Sequence, residues 1–125
     1  MKLLCRILVS LCWSCVVLAD TVRTPLRTPG LLGDPSTQPT CVALNIGSNP
    51  HDVTVELRDE TNAVLATTEC PALAVSSTCT LTAPGQSRIF FCRISALAAH
   101  FIRGTLMMVD SSGRVTSAVV TRRED

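Results

Sequence analysis

Four cysteines, Cys41, Cys70, Cys79 and Cys92, constrain the fold of this chain more than any other feature. They follow a segment that reads as an export signal, and an even set of cysteines in an exported chain pairs into disulfides by default. In that segment Lys2 and Arg6 supply a short positive start, residues 7–18 are mostly apolar, and Val17-Leu18-Ala19 precedes Asp20. This is the three-part layout of a secretory signal peptide over residues 1–19, with cleavage expected after Ala19. The apolar run is about a dozen residues, shorter than the ~20 that a helix needs to cross hydrocarbon, which weighs against a retained anchor. Neither Cys12 nor Cys15 has the Leu-small-small context of an acylated cysteine, so Cys5, Cys12 and Cys15 are expected to leave with the signal. The product is expected to be secreted or periplasmic, with no membrane span after cleavage.

Four cysteines allow three pairings. Cys70 and Cys79 bracket a short apolar segment, Cys41 opens the first strand-like run, and Cys92 sits inside a later one. Cys70–Cys79 together with Cys41–Cys92 is therefore favoured. Chain entropy assigns roughly 2.5–3 kcal/mol to the short loop and about 4 kcal/mol to the long one, which matters for a small core. A four-cysteine zinc site would need close pairs of the C-x₂₋₄-C type, and these spacings lack them.

Residues 20–40 contain Pro25, Pro29, Pro35 and Pro39, with Gly30, Gly33 and the near-duplicates Arg23-Thr24-Pro25 and Arg27-Thr28-Pro29. That composition reads as a disordered linker, either a tether or a solvated tail. From Cys41 the pattern changes to period two: Val42, Leu44 and Ile46 alternate with their neighbours, as do Val53, Val55 and Leu57. Each run reads as a half-buried strand. The turn formers of residues 47–52 predict a hairpin between them, and Asp59-Glu60-Thr61-Asn62 a second turn into a strand beginning at Val64. Further strands are expected over 79–82, 88–95, 102–110 and 114–121, while Ala96-Leu97-Ala98-Ala99-His100 is too short for a stable helix. About seven strands at this spacing predict an all-β fold over residues 41–125, a small antiparallel β-sandwich, with an open barrel as the alternative.

The run Val53-Thr54-Val55-Glu56-Leu57-Arg58-Asp59 with Val64-Leu65-Ala66 after its turn, the Leu81–Gly85 stretch and Phe91-Cys92-Arg93 resemble small exported bacterial β-sandwich proteins of uncharacterised function. The resemblance covers residues 41–121 and implies architecture only, with no activity to carry over.

Chemistry is sparse. With 125 residues there is room for one small domain, and a net charge of +1 removes the footprint of a nucleic-acid binder. No Gly-x-Ser-x-Gly elbow, His-Glu-x-x-His or phosphate loop is present. His100, Asp110, Ser111 and Ser112 are the parts from which a Ser/His/Asp arrangement would be built, although loop serines and aspartates usually serve turn geometry. His51 with Asp52, or the acidic turn 59–62, are further metal-binding candidates, but the twelve-residue calcium pattern is missing and solvated turns are the favoured reading. No cofactor is implied. Beyond the signal the aromatics are Phe90, Phe91 and Phe101, too few for a sugar- or base-stacking platform.

Two features remain as candidate binding sites. The loop between Cys70 and Cys79 carries Leu73 and Val75, and a pinned apolar loop would bind a partner at reduced ordering cost; the alternative is that both tuck under a sheet edge. If residues 95 and 101 flank a hairpin turn, Arg93 falls opposite Arg103, a candidate anion site with Arg88 nearby; the alternative is neutralisation by Glu56 or another acid on a neighbouring strand, or simple solvent exposure. The expected function is thus a non-catalytic binding or scaffolding protein acting on another envelope or extracellular protein. The alternative is an inhibitor or modulator of an extracytoplasmic enzyme working through the Cys70–Cys79 loop. Oligomeric state is not encoded in any of these features.

Overall fold

The computed structural model describes residues 24–123. The expected signal peptide lies outside the described residues. Among the described residues there are ten strands: β1 Thr24–Arg27, β2 Leu31–Leu32, β3 Thr37–Asn45, β4 His51–Asp59, β5 Val64–Leu73, β6 Thr78–Thr82, β7 Ile89–Ala96, β8 Ile102–Asp110, β9 Val115–Val120 and β10 Arg122–Arg123. They form two antiparallel sheets, β10-β1-β7-β4-β5 with β2 also on β7, and β6-β3-β8-β9.

The alternation in the sequence decides which face each strand buries. Val53, Val55 and Leu57 of β4 and Phe90, Cys92, Ile94 and Ala96 of β7 point inward from the larger sheet. Cys41 and Ala43 of β3 and Ile102, Leu106 and Met108 of β8 meet them from the smaller one. Face-to-face packing of two such surfaces is a β-sandwich. Cys41–Cys92 joins the central strands β3 and β7 through the core, and Cys70–Cys79 joins the edge strands β5 and β6. All seven expected strands and both expected disulfides are present.

Residues 24–40 are not a disordered linker. β1 and β2 pair with β7, and residues 37–40 already belong to β3. Leu26 is buried, and Thr28 is held twice: its N–H donates to Cys92 O at 3.0 Å, and its Oγ1 accepts from Cys92 N–H at 2.9 Å. Prolines are accommodated by position. Pro39 lies one residue beyond the stretch of β3 that pairs with β6, so its missing N–H breaks no bond on that side.

The hairpin expected across residues 47–52 is also corrected. β3 pairs with β6 and β8, whereas β4 pairs with β5 and β7, so this connection carries the chain from one sheet to the other. Asn45 builds the corner. Its buried side chain donates from Nδ2 to Asn49 O and Leu73 O, both at 2.9 Å, and accepts at Oδ1 from Gly47 N–H at 2.9 Å. Gly47 is required there, because a Cβ would stand 2.9 Å from Phe101 Cβ. The β7–β8 connection crosses between the sheets too, through a single 3₁₀ turn at Ala99–Phe101. True hairpins occur at β4–β5 and β8–β9, where Asn62 (φ 66°) and Gly113 (φ 82°) take left-handed conformations.

Candidate binding surface

Three connections that cross between the sheets come together at one end of the sandwich. Backbone hydrogen bonds lock them: Ile46 N–H to Phe101 O at 2.8 Å, Ser76 N–H to Asn45 O at 2.9 Å and Asn45 N–H to Ser77 O at 3.2 Å. On this fixed base Ile46, Val75, Leu97 and Phe101 are 38–56% exposed, although each is large and apolar. The Phe101 ring stacks on His51, with centroids 5.7 Å apart, and lies against the His100 ring at 3.9 Å. His51 Nε2 is buried and makes no hydrogen bond to any described residue. Loops held this way by a rigid scaffold are where binding surfaces arise.

The Cys70–Cys79 loop divides between the two readings. Leu73 is buried at 7% exposure and belongs to the core, so it is not a docking residue; Val75 is exposed at 43%. The reason is local geometry. The Asp52 carboxylate accepts from Ala72 N–H at 2.7 Å, Ala72 has φ 49° and Ser76 φ 63°. This bend turns Leu73 beneath the sheet edge and Val75 outward, and left-handed conformations at non-glycine residues persist only where surrounding contacts hold them.

Arg93 and Arg103 are not opposite each other, since β7 and β8 lie in different sheets. Arg93 stands between Glu56 of β4 and Arg27 of β1, and Arg103 is the register partner of Leu44. Arg103 Nη1 donates to His100 O at 3.1 Å and Ile102 O at 3.2 Å. It lines a cavity of about 300 Å³ with His100 and Arg123. Arg88 pairs instead with Asp59, at 3.0 Å.

The other candidates resolve into turn chemistry. Asp59 accepts from Thr61 N–H, Thr61 Oγ1–H and Ala63 N–H. Asp110 accepts from Ser112 N–H, Ser112 Oγ–H and Arg114 N–H. Asp34 binds Ser36 in the same way, so Asp-x-Ser/Thr recurs at three turns. In each, the side-chain hydrogen bond from the hydroxyl residue is the main cause of a carboxyl pKa below its usual value. His100 precedes β8 while Asp110 ends it, so the strand length keeps His100 away from Asp110 and Ser112. Among the described residues no three His, Cys, Asp or Glu side chains gather in a metal-binding arrangement.

Sequence reasoning missed Ile46, Leu97 and Phe101 as a cluster, because they are distant in the chain. Only Ile46 carried a local signal, as an apolar residue directly before the turn formers Gly47-Ser48-Asn49-Pro50. No protein family, curated protein or solved structure matches this chain.

Proposed function

We propose that this chain is a small exported, non-catalytic binding protein that engages another envelope or extracellular protein through its loop end. The observation that carries this reading is the exposed set Ile46, Val75, Leu97 and Phe101 on hydrogen-bonded loops. Exposed apolar groups brought together on fixed backbone lose little conformational entropy on docking, as a protein interface requires. Two disulfides suit an oxidising, extracytoplasmic setting, and no helix among the described residues is long and apolar enough to cross a membrane. Export by cleavage after Ala19 belongs to the same proposal.

The experiment is a crosslinking pull-down of the exported protein with Leu97→Ser, Phe101→Ser and Val75→Ser. Loss of the same partner with all three variants, circular dichroism unchanged, supports a shared docking end. Loss with Val75→Ser alone supports the inhibitor reading, in which the Cys70–Cys79 loop acts by itself. Retention of every partner by all three overturns both.

A further inference from the structure

Arg122 of β10, Arg27 of β1 and Arg93 of β7 stand in one cross-strand row, because Arg27 is the register partner of both the others. The row continues into Glu56 of β4. Directly opposed residues share a sheet face, and the adjacent Leu26, Cys92 and Leu57 are buried, so the row lies on the outer face. At ~4.8 Å between strands, the three arginine positions span about 10 Å. Like charges directly opposite weaken a strand pair. This chain nevertheless aligns three on a molecule whose formal net charge is +1.

The Glu56 carboxylate that bounds the row accepts from Arg58, whose Nε and Nη2 donate to the same Oε2 at 2.8 and 2.6 Å. One contact holds an arginine of the row in place. The Arg27 guanidinium rests over the Phe91 ring, its central carbon 3.9 Å from the centroid, which fixes the fork over a buried aromatic.

We infer that this row binds a ligand carrying two or more closely spaced phosphate groups. A phosphate presents three outward oxygens and so accepts forks from two neighbouring arginines at once, which matches paired guanidinium groups along a strand row. Two such groups fit along a row of about 10 Å. The site lies on a sheet face rather than on the loop end, and it stands whether or not the loop end docks a protein.

The test is calorimetric titration of the oxidised protein with inorganic tripolyphosphate. Arg93→Gln and Arg122→Gln are each expected to weaken binding about tenfold. Arg114→Gln, in the β8–β9 turn, is expected to leave it within about twofold, and Arg93→Lys to behave more like Arg93→Gln than like the parent. Circular dichroism separates loss of ligand from loss of fold. Should Arg93→Gln unfold the protein, Arg122→Gln in the terminal strand carries the comparison. Vesicles of phosphatidylcholine with and without phosphatidylglycerol distinguish the source. Arg93-dependent sedimentation with the anionic vesicles supports headgroup phosphates, and tripolyphosphate binding without sedimentation supports a soluble ligand. Absence of tripolyphosphate binding overturns the inference. So does equal weakening by Arg114→Gln and Arg93→Gln, or parent-like binding by Arg93→Lys, because either result reduces the row to diffuse positive charge.

Discussion

Cys41 of β3 and Cys92 of β7 meet across the middle of the sandwich, their Cα atoms 5.9 Å apart and neither residue exposed to solvent. Their sequence separation is 51 residues, against 9 for Cys70–Cys79. The longer loop loses more unfolded-state entropy on closure, and this bridge also fills the core. Replacing Cys41 and Cys92 together by Ala is therefore expected to cost about 4 kcal/mol or more, and replacing Cys70 and Cys79 about 2.5–3 kcal/mol. Equilibrium denaturant unfolding of the two double variants measures both values. A larger loss for the edge bridge would contradict the ranking.

Asn45 concentrates the polar bonding of the loop end in one buried side chain. Asn45→Ala removes its bonds to Asn49, Gly47 and Leu73 and leaves buried backbone groups unpaired. The expected destabilisation is about 2–3 kcal/mol. Hydrogen exchange should accelerate first in residues 46–50 and 73–77, ahead of β4 and β7. Uniform acceleration throughout the molecule would mean that Asn45 supports the whole sandwich rather than its corner.

The three Asp-x-Ser/Thr turns make stability depend on acid. In the folded protein the Asp34, Asp59 and Asp110 carboxyls are held below the ordinary aspartate pKa, chiefly by side-chain hydrogen bonds from Ser36, Thr61 and Ser112. A depressed folded pKa means that the unfolded chain binds protons first, so the contribution is complete well above the ordinary aspartate range and declines as pH falls through it toward the lower folded values. Melting temperatures measured from pH 6 down to pH 2 should fall chiefly below about pH 4. Asp110→Asn should reduce that slope. An unchanged slope would assign acid sensitivity elsewhere.

What the residues disclosed, and what they hid, follows from the range of the forces involved. Alternation in Val53-Thr54-Val55-Glu56-Leu57 is set by one strand and one buried face, so it was legible without knowing the partner strand. Cys41–Cys92 was legible because the strand positions of both residues were. The β3–β4 connection was not, because Gly47-Ser48-Asn49-Pro50 serves a hairpin or a crossover equally well; the decision lies in Asn45 reaching Leu73, a contact 28 residues away. The same crossing at Ala99–Phe101 removed Arg103 from Arg93 and left Arg27 in its place. Arg27 was hidden inside a Pro/Thr-rich stretch whose composition argued against order. Its strand exists because β7 offers an open edge and a pocket for Leu26, neither of which is written locally.

Leu73 and Val75 provide the sharpest test of the loop end, since they are two residues apart and have opposite environments. Leu73 is 7% exposed beneath the sheet edge, and its carbonyl accepts from Asn45. Leu73→Asp would bury a carboxylate among apolar groups, and is expected to cost more than about 3 kcal/mol and to abolish the β circular-dichroism signal or lower its melting temperature steeply. Val75→Asp changes an exposed side chain, so its effect on stability should stay within about 0.5 kcal/mol. If partner binding uses the loop end, Val75→Asp loses the partner while remaining folded. Comparable stability for both variants would show that the loop is loose enough to accept a charge at either position, and would remove the basis for treating it as a fixed surface.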